Sequence, residues 1–412
     1  MRSLRIGICI LIVFAVAAHG AVEAWSQAVL EAGAGLLLFW WSLAVLREEN
    51  PQIRWNPLLW PLAGIWLVVA IQCLFGLTAY PFITYIELLK ASAMVLIVFL
   101  AVQAFQTTGH WRSFTWFLLA FGFIVALFAI IQDYTFNGKL YWFRELRYSG
   151  VPFGPFVDRD HYAGLMELIA PSGLSLLILR AERRELWSIL TTFTLLPIGT
   201  LFLTASRGGI IGFLCEAGLL LVLVFFWRRE GRTVFAGATI LVLVAGVVGW
   251  LGIGRALDRF SQYRKWEVTE TRRLEIMHDS WRIFTSHPVF GTGFGTIQEV
   301  FPKYATLYDS RVVNHVHNDY IELLVDAGAI GGALGLLFLV LLFSRSWTAM
   351  NASSGSLELA LHIGAFVACF GILVHSLVDF NLHIPSNALV FLLQAVLATS
   401  IFSRRIQTSS RG

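Results

Sequence analysis

Apolar residues run through this chain in long continuous stretches. About 20 such residues in a row let an α-helix cross ~30 Å of hydrocarbon. Twelve stretches qualify, near 6–23, 27–46, 57–77, 83–105, 113–133, 161–179, 186–205, 209–227, 233–252, 318–343, 358–379 and 384–403. A membrane β-barrel is excluded, because its strands alternate apolar and polar residues and these runs do not. The pattern predicts an all-α, polytopic membrane helix bundle forming a single domain over 1–412, with a charged insertion at 253–316 before the tenth helix. Inside the insertion, Leu274, Met277, Trp281 and Phe284 recur at spacings of three and four. That spacing predicts a helix over 271–286, lying on the membrane surface or capping a cavity.

Composition agrees. Of 412 residues, 57% are hydrophobic and 14% charged, against about 25% charged in a soluble protein. Mean hydropathy is +0.71. A net charge of +4 with no compact basic module gives no reason to expect nucleic acid. Cys9, Cys73, Cys215 and Cys369 sit in apolar runs without CxxC spacing. They read as small core residues, not as a disulfide framework or a zinc site. The opening Met1-Arg2-Ser3-Leu4-Arg5 reads as the start of a retained first helix, because many spans follow it. With the N-terminus inside, the short outer turns hold only Arg207, and most other arginines fall on the inner side. By the positive-inside rule both termini are then cytoplasmic, and in a bacterial cell 134–160 and 253–316 face the periplasm.

Ionisable groups near hydrocarbon are costly unless they pair or line a cavity. In this topology the unusual ones share the outer side. Ser206 and Arg207 lie in the turn between helices seven and eight, and Arg159, Asp160 and His161 open helix six. Glu87 and Lys90 share one face of helix four, His317 and Asn318 open helix ten, and Asp379 and His383 bracket the last outer turn. One polar cavity opening to the periplasm is the expectation. A transporter would sooner place such groups near the midplane, where only the single Glu167 and Glu216 stand.

His317-Asn318, nine residues, then Gly328-Ala329-Ile330-Gly331 resembles the signature of the O-antigen ligase family, whose superfamily includes O-antigen polymerases. Three further stretches are similar: the Ser206-Arg207-Gly208 turn; Arg273 with Trp281, followed by His287-Pro288 and Gly291, Gly293 and Gly295; and Gly154 to Gly164 at the entry to helix six. The family more often has asparagine where Asp158 or Asp160 stands here. The resemblance implies a GT-C-type membrane bundle. It implies transfer of a glycan from undecaprenyl diphosphate to an acceptor hydroxyl, without metal or other cofactor. Ligation to lipid A-core comes first, repeat-unit polymerisation second and transfer to a protein hydroxyl third. A small-solute transporter is the reading outside enzymes.

The residue chemistry fits that reaction. A departing diphosphate gains charge and, without a metal, needs fixed cations. Arginine binds phosphate oxygens through a planar fork, so Arg207 and Arg273 are assigned to the diphosphate, with Lys90 assisting. His317 is assigned to take or orient the acceptor proton, and Asn318 to position it. Ser206, Arg159, His161 and Glu87 are possible substrate-site residues. His315-Val316-His317 shows no third metal ligand in sequence, so no metal is expected. Gly328, Gly331, Gly332 and Gly335 form two GxxxG pairs and read as helix packing. Gly291-Thr292-Gly293-Phe294-Gly295 reads as a flexible loop or hinge over the cavity, and the glycines after Arg207 as room for a ligand.

Overall fold

A computed structural model describes residues 1–145, 151–228, 246, 270–306 and 312–402. Apart from Gly246, the span expected at 233–252 lies outside the described residues. The chain begins with α1 (Arg2–Ala17), α2 (Ala24–Val45), α3 (Leu59–Phe75) and α4 (Pro81–Ala104). It continues through α5 (Thr108–Tyr134), α6 (Arg159–Ile178), α7 (Trp187–Leu203) and α8 (Arg207–Arg228). Within the charged segment lies α9 (Glu270–Ser286), and after it come α10 (Asp319–Ala352), α11 (Ser356–His375) and α12 (Pro385–Thr399). The described residues contain no strand, only two isolated bridges. Among the described residues, seven helices are long and apolar enough to cross a membrane, and α3 and α12 are shorter apolar helices.

Local chemistry sets the helix ends. Pro81 begins α4, where its missing N–H costs nothing. The Thr107 and Asp158 side chains cap α5 and α6. Asn318 caps α10, accepting from Tyr320 N and Ile321 N at 3.0 and 2.9 Å. Gly76 ends α3 in the left-handed region, at φ 65°.

Helix α6 lies inside the bundle, buried along nearly its whole length, against α7, α8, α11 and α12. Polar groups of neighbouring helices therefore meet it. Gln394 Nε2 on α12, for example, donates to Leu168 O at 2.7 Å. Satisfying such groups internally is what permits a polar helix at the centre of an apolar bundle.

Helix α10 is broken. Gly328 has φ 62° and ψ −160°, a conformation open essentially to glycine alone. The chain bends there, so Leu324 packs over Gly332 and Leu323 over Gly335, where added Cβ atoms would meet their methyls at 2.6 and 2.7 Å. The expectation of helix packing is thus corrected in kind. The glycines let two halves of one helix fold against each other, and Gly328 is a backbone break.

The 287–295 segment docks into that break. Ala329 N donates to Pro288 O, and Thr292 N to Val325 O, both at 2.8 Å. Gln72 Nε2 bonds Phe290 O and Asp326 O, each at 2.7 Å. Ala79 N donates to Thr292 O at 2.7 Å. The glycine-rich stretch is a buttress tied to three elements, not the free hinge expected from its composition.

Helix α9 forms where periodicity places it, and Met277 and Phe284 of the expected face pack on the buried cluster, but the centre of that face is shifted. Leu274 and Trp281 are 66% and 49% exposed, whereas Ile276, Asp279, Ser280 and Ile283 are buried. The buried stripe sits about one residue aside from the large apolar side chains, because α9 packs on α10 and the 297–304 turns through Ile276 and Ile283.

Candidate active site

The turn between α11 and α12 gathers the polar residues. Helix α11 ends at His375, and residues 376–384 carry Asp379, Phe380, Asn381 and His383. Two backbone links fix the start of α10 on this turn: Asp319 N donates to Ser376 O at 3.0 Å and Asn318 Nδ2 to Leu377 O at 2.9 Å. Asn318 therefore serves two elements. Its oxygen caps the helix and its amide grips the turn.

His317, held at φ 58°, places Nδ1 3.4 Å from Asp379 Oδ1. Left-handed backbone on a residue other than glycine is unusual and often marks a constrained functional position. Asp379 is buried, which alone would raise its pKa. The His317 hydrogen bond and the charges of His161 and His375 override this and hold it well below the ordinary carboxylate range. Asp379 also lies 3.9 Å from His375 Nε2, and His375 Nδ1 meets Glu167 Oε1 at 3.1 Å. Glu167, which looked isolated in the sequence, is thus paired. Behind it Glu216 packs on Gly371, where a Cβ would lie 1.8 Å from its oxygen.

Phe380 is the hub of three rings. His315 stacks on it with centroids 4.1 Å apart, and His317 and His161 meet it edge-on at 5.0 and 4.8 Å. The Nε2 of His161 is buried without a hydrogen-bond partner. Asp158, at the cap of α6, has its pKa pushed up to about 6 by burial and by the like charge of Asp160.

The arginine motifs reach the same turn. Arg273 Nη1 on α9 donates to Val378 O at 2.8 Å, and its Nη2 lies 3.7 Å from Asp160. Arg207 is exposed at the start of α8. The next residue, Gly208, lies so close to the turn that a Cβ would be 2.4 Å from His375 and 3.1 Å from Val378. Gly209 and Gly212 likewise leave room for Glu167. These glycines admit protein side chains, which corrects the expectation that they make room for a ligand. Ser206 is buried, and its Oγ accepts from Gly209 N at 3.1 Å. It serves the helix start. Arg159 is buried at the start of α6.

Lys90 stands apart from this group. Its Nζ lies 2.6 Å from Glu87 Oε2, and the pair lines a largely apolar cavity of about 470 Å³ with Asp319, His383 and Phe294. Sequence reasoning missed His375, and also Glu322, whose Oε1 lies 2.6 Å from His315 Nδ1, as members of the polar network. The signal for His375 was its spacing of four from Asp379, across the end of α11. Glu322 had no local signal, because its partners come from outside its helix.

Residues 192–336 match the model of the O-antigen ligase family. No curated protein matches the chain. The matched stretch contains the Arg207 turn, Arg273, the 287–295 loop and the His317–Gly331 signature. The family is one of membrane glycosyl-transfer enzymes, ligases and polymerases, and residues 192–336 of the 412 are similar to it.

Proposed function

We propose that this chain transfers a glycan from undecaprenyl diphosphate to an acceptor hydroxyl at the periplasmic face of a bacterial inner membrane, with lipid A-core as the acceptor. The observation that carries this is convergence. His317, Arg273 and the Arg207 turn, drawn from three separate parts of the chain, all meet the 375–384 turn.

The chemistry runs as a single displacement. Asp379 accepts from His317 Nδ1, which fixes the tautomer and leaves the Nε2 lone pair as base. The acceptor oxygen bonds to the anomeric carbon as its proton passes to Nε2, and the bond to the diphosphate breaks with inversion. The leaving oxygens are met by the guanidinium groups of Arg207 and Arg273, so this step needs no metal. Substrate would draw Arg273 away from Asp160, its present partner at 3.7 Å. Asn318 holds His317 through the backbone, and Lys90 serves the donor from the cavity side.

The test is transfer in vitro by the purified chain from an undecaprenyl-diphosphate glycan, with lipid A-core, a second donor molecule and a serine peptide in competition. Product on lipid A-core supports ligation. Extended lipid-linked glycan would make the enzyme a polymerase, and glycopeptide a protein transferase. Intact donor in every arm would overturn the reading.

A further inference from the structure

Beside this site stands a cluster that the transfer step does not use. His315, Glu322 and His383 each present one ligand atom, all within 4.8 Å of one another. Glu322 Oε1 lies 2.6 Å from His315 Nδ1 and 3.4 Å from His383 Nε2. The surroundings already orient these atoms. His383 Nδ1 is 2.6 Å from Asp319 Oδ1, which keeps the hydrogen on Nδ1 and turns the Nε2 lone pair toward Glu322. A carboxylate on the far nitrogen is the usual second contact of a metal-bound histidine. Glu322 Oε2 is held by Val316 N at 2.8 Å, and the His315 ring is held flat on Phe380.

A second observation points the same way. Asp326 follows Glu322 by one helical turn and is 1% exposed. Neither of its oxygens has a hydrogen-bond partner of standard geometry, although the Gly295 backbone lies close by. A buried carboxylate so placed is costly without a nearby positive charge.

We propose that His315 Nδ1, Glu322 Oε1 and His383 Nε2 bind one zinc ion, with water in the fourth position. Two imidazoles and one carboxylate suit zinc and disfavour magnesium and calcium, which prefer oxygen alone. Ligands at ~2.0–2.2 Å from a tetrahedral ion stand roughly 3.3 Å apart. The His315–Glu322 pair must therefore open by less than ~1 Å, losing its shared proton as the ion binds. The three ligands come from the segment before α10, from α10 itself and from the turn after α11. The ion ties these together behind Phe380. It braces the turn that carries Asp379 and takes no part in bond breaking.

The inference stands apart from the transfer chemistry, because its test counts metal and not glycan. Full-length protein in detergent is stripped with a chelator, re-equilibrated with Zn²⁺ and analysed by elemental mass spectrometry. Co²⁺ loading gives a visible spectrum as a second readout. Expected are about one zinc per chain, its loss in His383→Ala and His315→Ala, and retention in His278→Ala, whose imidazole is 71% exposed on α9. Asp319→Asn should weaken zinc roughly 10–100-fold while leaving its stoichiometry intact. If His383→Ala fails to fold, His315→Ala decides, because that ring is already 31% exposed. No zinc on the wild type, or equal zinc on wild type and His315→Ala, would overturn the proposal.

Discussion

Replacing Gly328 by alanine tests the break in α10. Three costs add. The φ and ψ of 62° and −160° exclude a side chain at roughly 1–3 kcal/mol. The new Cβ would lie 2.3 Å from Val289 O and 2.7 Å from Gly291 N, both backbone atoms that no rotamer can move. Relief means lifting the 288–293 segment from the helix. That breaks Ala329 N to Pro288 O, Thr292 N to Val325 O and Gly293 N to Asp326 O, at 2.8, 2.8 and 3.2 Å. At ~0.5–1.5 kcal/mol net for each of the three bonds, and with the backbone cost added, the total comes to roughly 2.5–7.5 kcal/mol. Gly332→Ala is the contrast. Its Cβ meets only the tip of Leu324, at 2.6 Å, which can rotate away. The gain in helix propensity of ~0.5–1 kcal/mol offsets much of that strain. The assay is the half-life of the folded protein in mild detergent at fixed temperature, with amide exchange at Thr292 and Ala329. Gly328→Ala should shorten the half-life strongly and expose both amides, while Gly332→Ala stays near wild type. Equal behaviour of the two variants would refute the backbone-break account and restore ordinary GxxxG packing.

Other outcomes are expected. His317→Asn keeps a residue tolerant of left-handed backbone and should lower transfer roughly 10²–10⁴-fold with donor binding retained; wild-type turnover would remove His317 as the base. Asp379→Asn should lower kcat by a similar factor with KM little changed, because the tautomer lock is lost; a pure KM effect would contradict that role. Arg207→Lys should cost roughly 10–100-fold in kcat/KM, since an ammonium cannot reproduce a fork on phosphate; unimpaired transfer would exclude bidentate contact. Asp158 gives a pH signature. Its folded pKa of about 6 lies above the usual carboxylate value, so its contribution is fully present in acid and is lost as pH rises through about 6. Asp158→Asn keeps the cap oxygen that accepts from Asp160 N at 2.8 Å. It should stabilise the protein at neutral pH by roughly 1–3 kcal/mol and flatten the melting profile between about pH 4 and 6. A variant with the wild-type profile would show that Asp158 does not titrate in this range.

The sequence by itself determined the class of molecule. Continuous apolar runs require helices, because a backbone in hydrocarbon can satisfy its hydrogen bonds only within the helix or in a closed barrel. The motifs carried the resemblance to the O-antigen ligase family that residues 192–336 match, and His317, Arg207 and Arg273 stood out because polar and charged groups are costly beside lipid. Tertiary structure decided the rest. Leu274 and Trp281 mark α9 by their spacing, yet its neighbours bury Ile276 and Ile283 instead. Local spacing tells which residues share a face, not what that face meets. The glycines after Arg207 and at 328–335 promised close approach without naming the visitor, and that proved to be protein. The link from Glu167 to His375 to Asp379 to His317 joins residues up to 212 positions apart. Periodicity reaches only a few turns. Contacts across that separation exist only once α6, α10 and α11 have packed against one another.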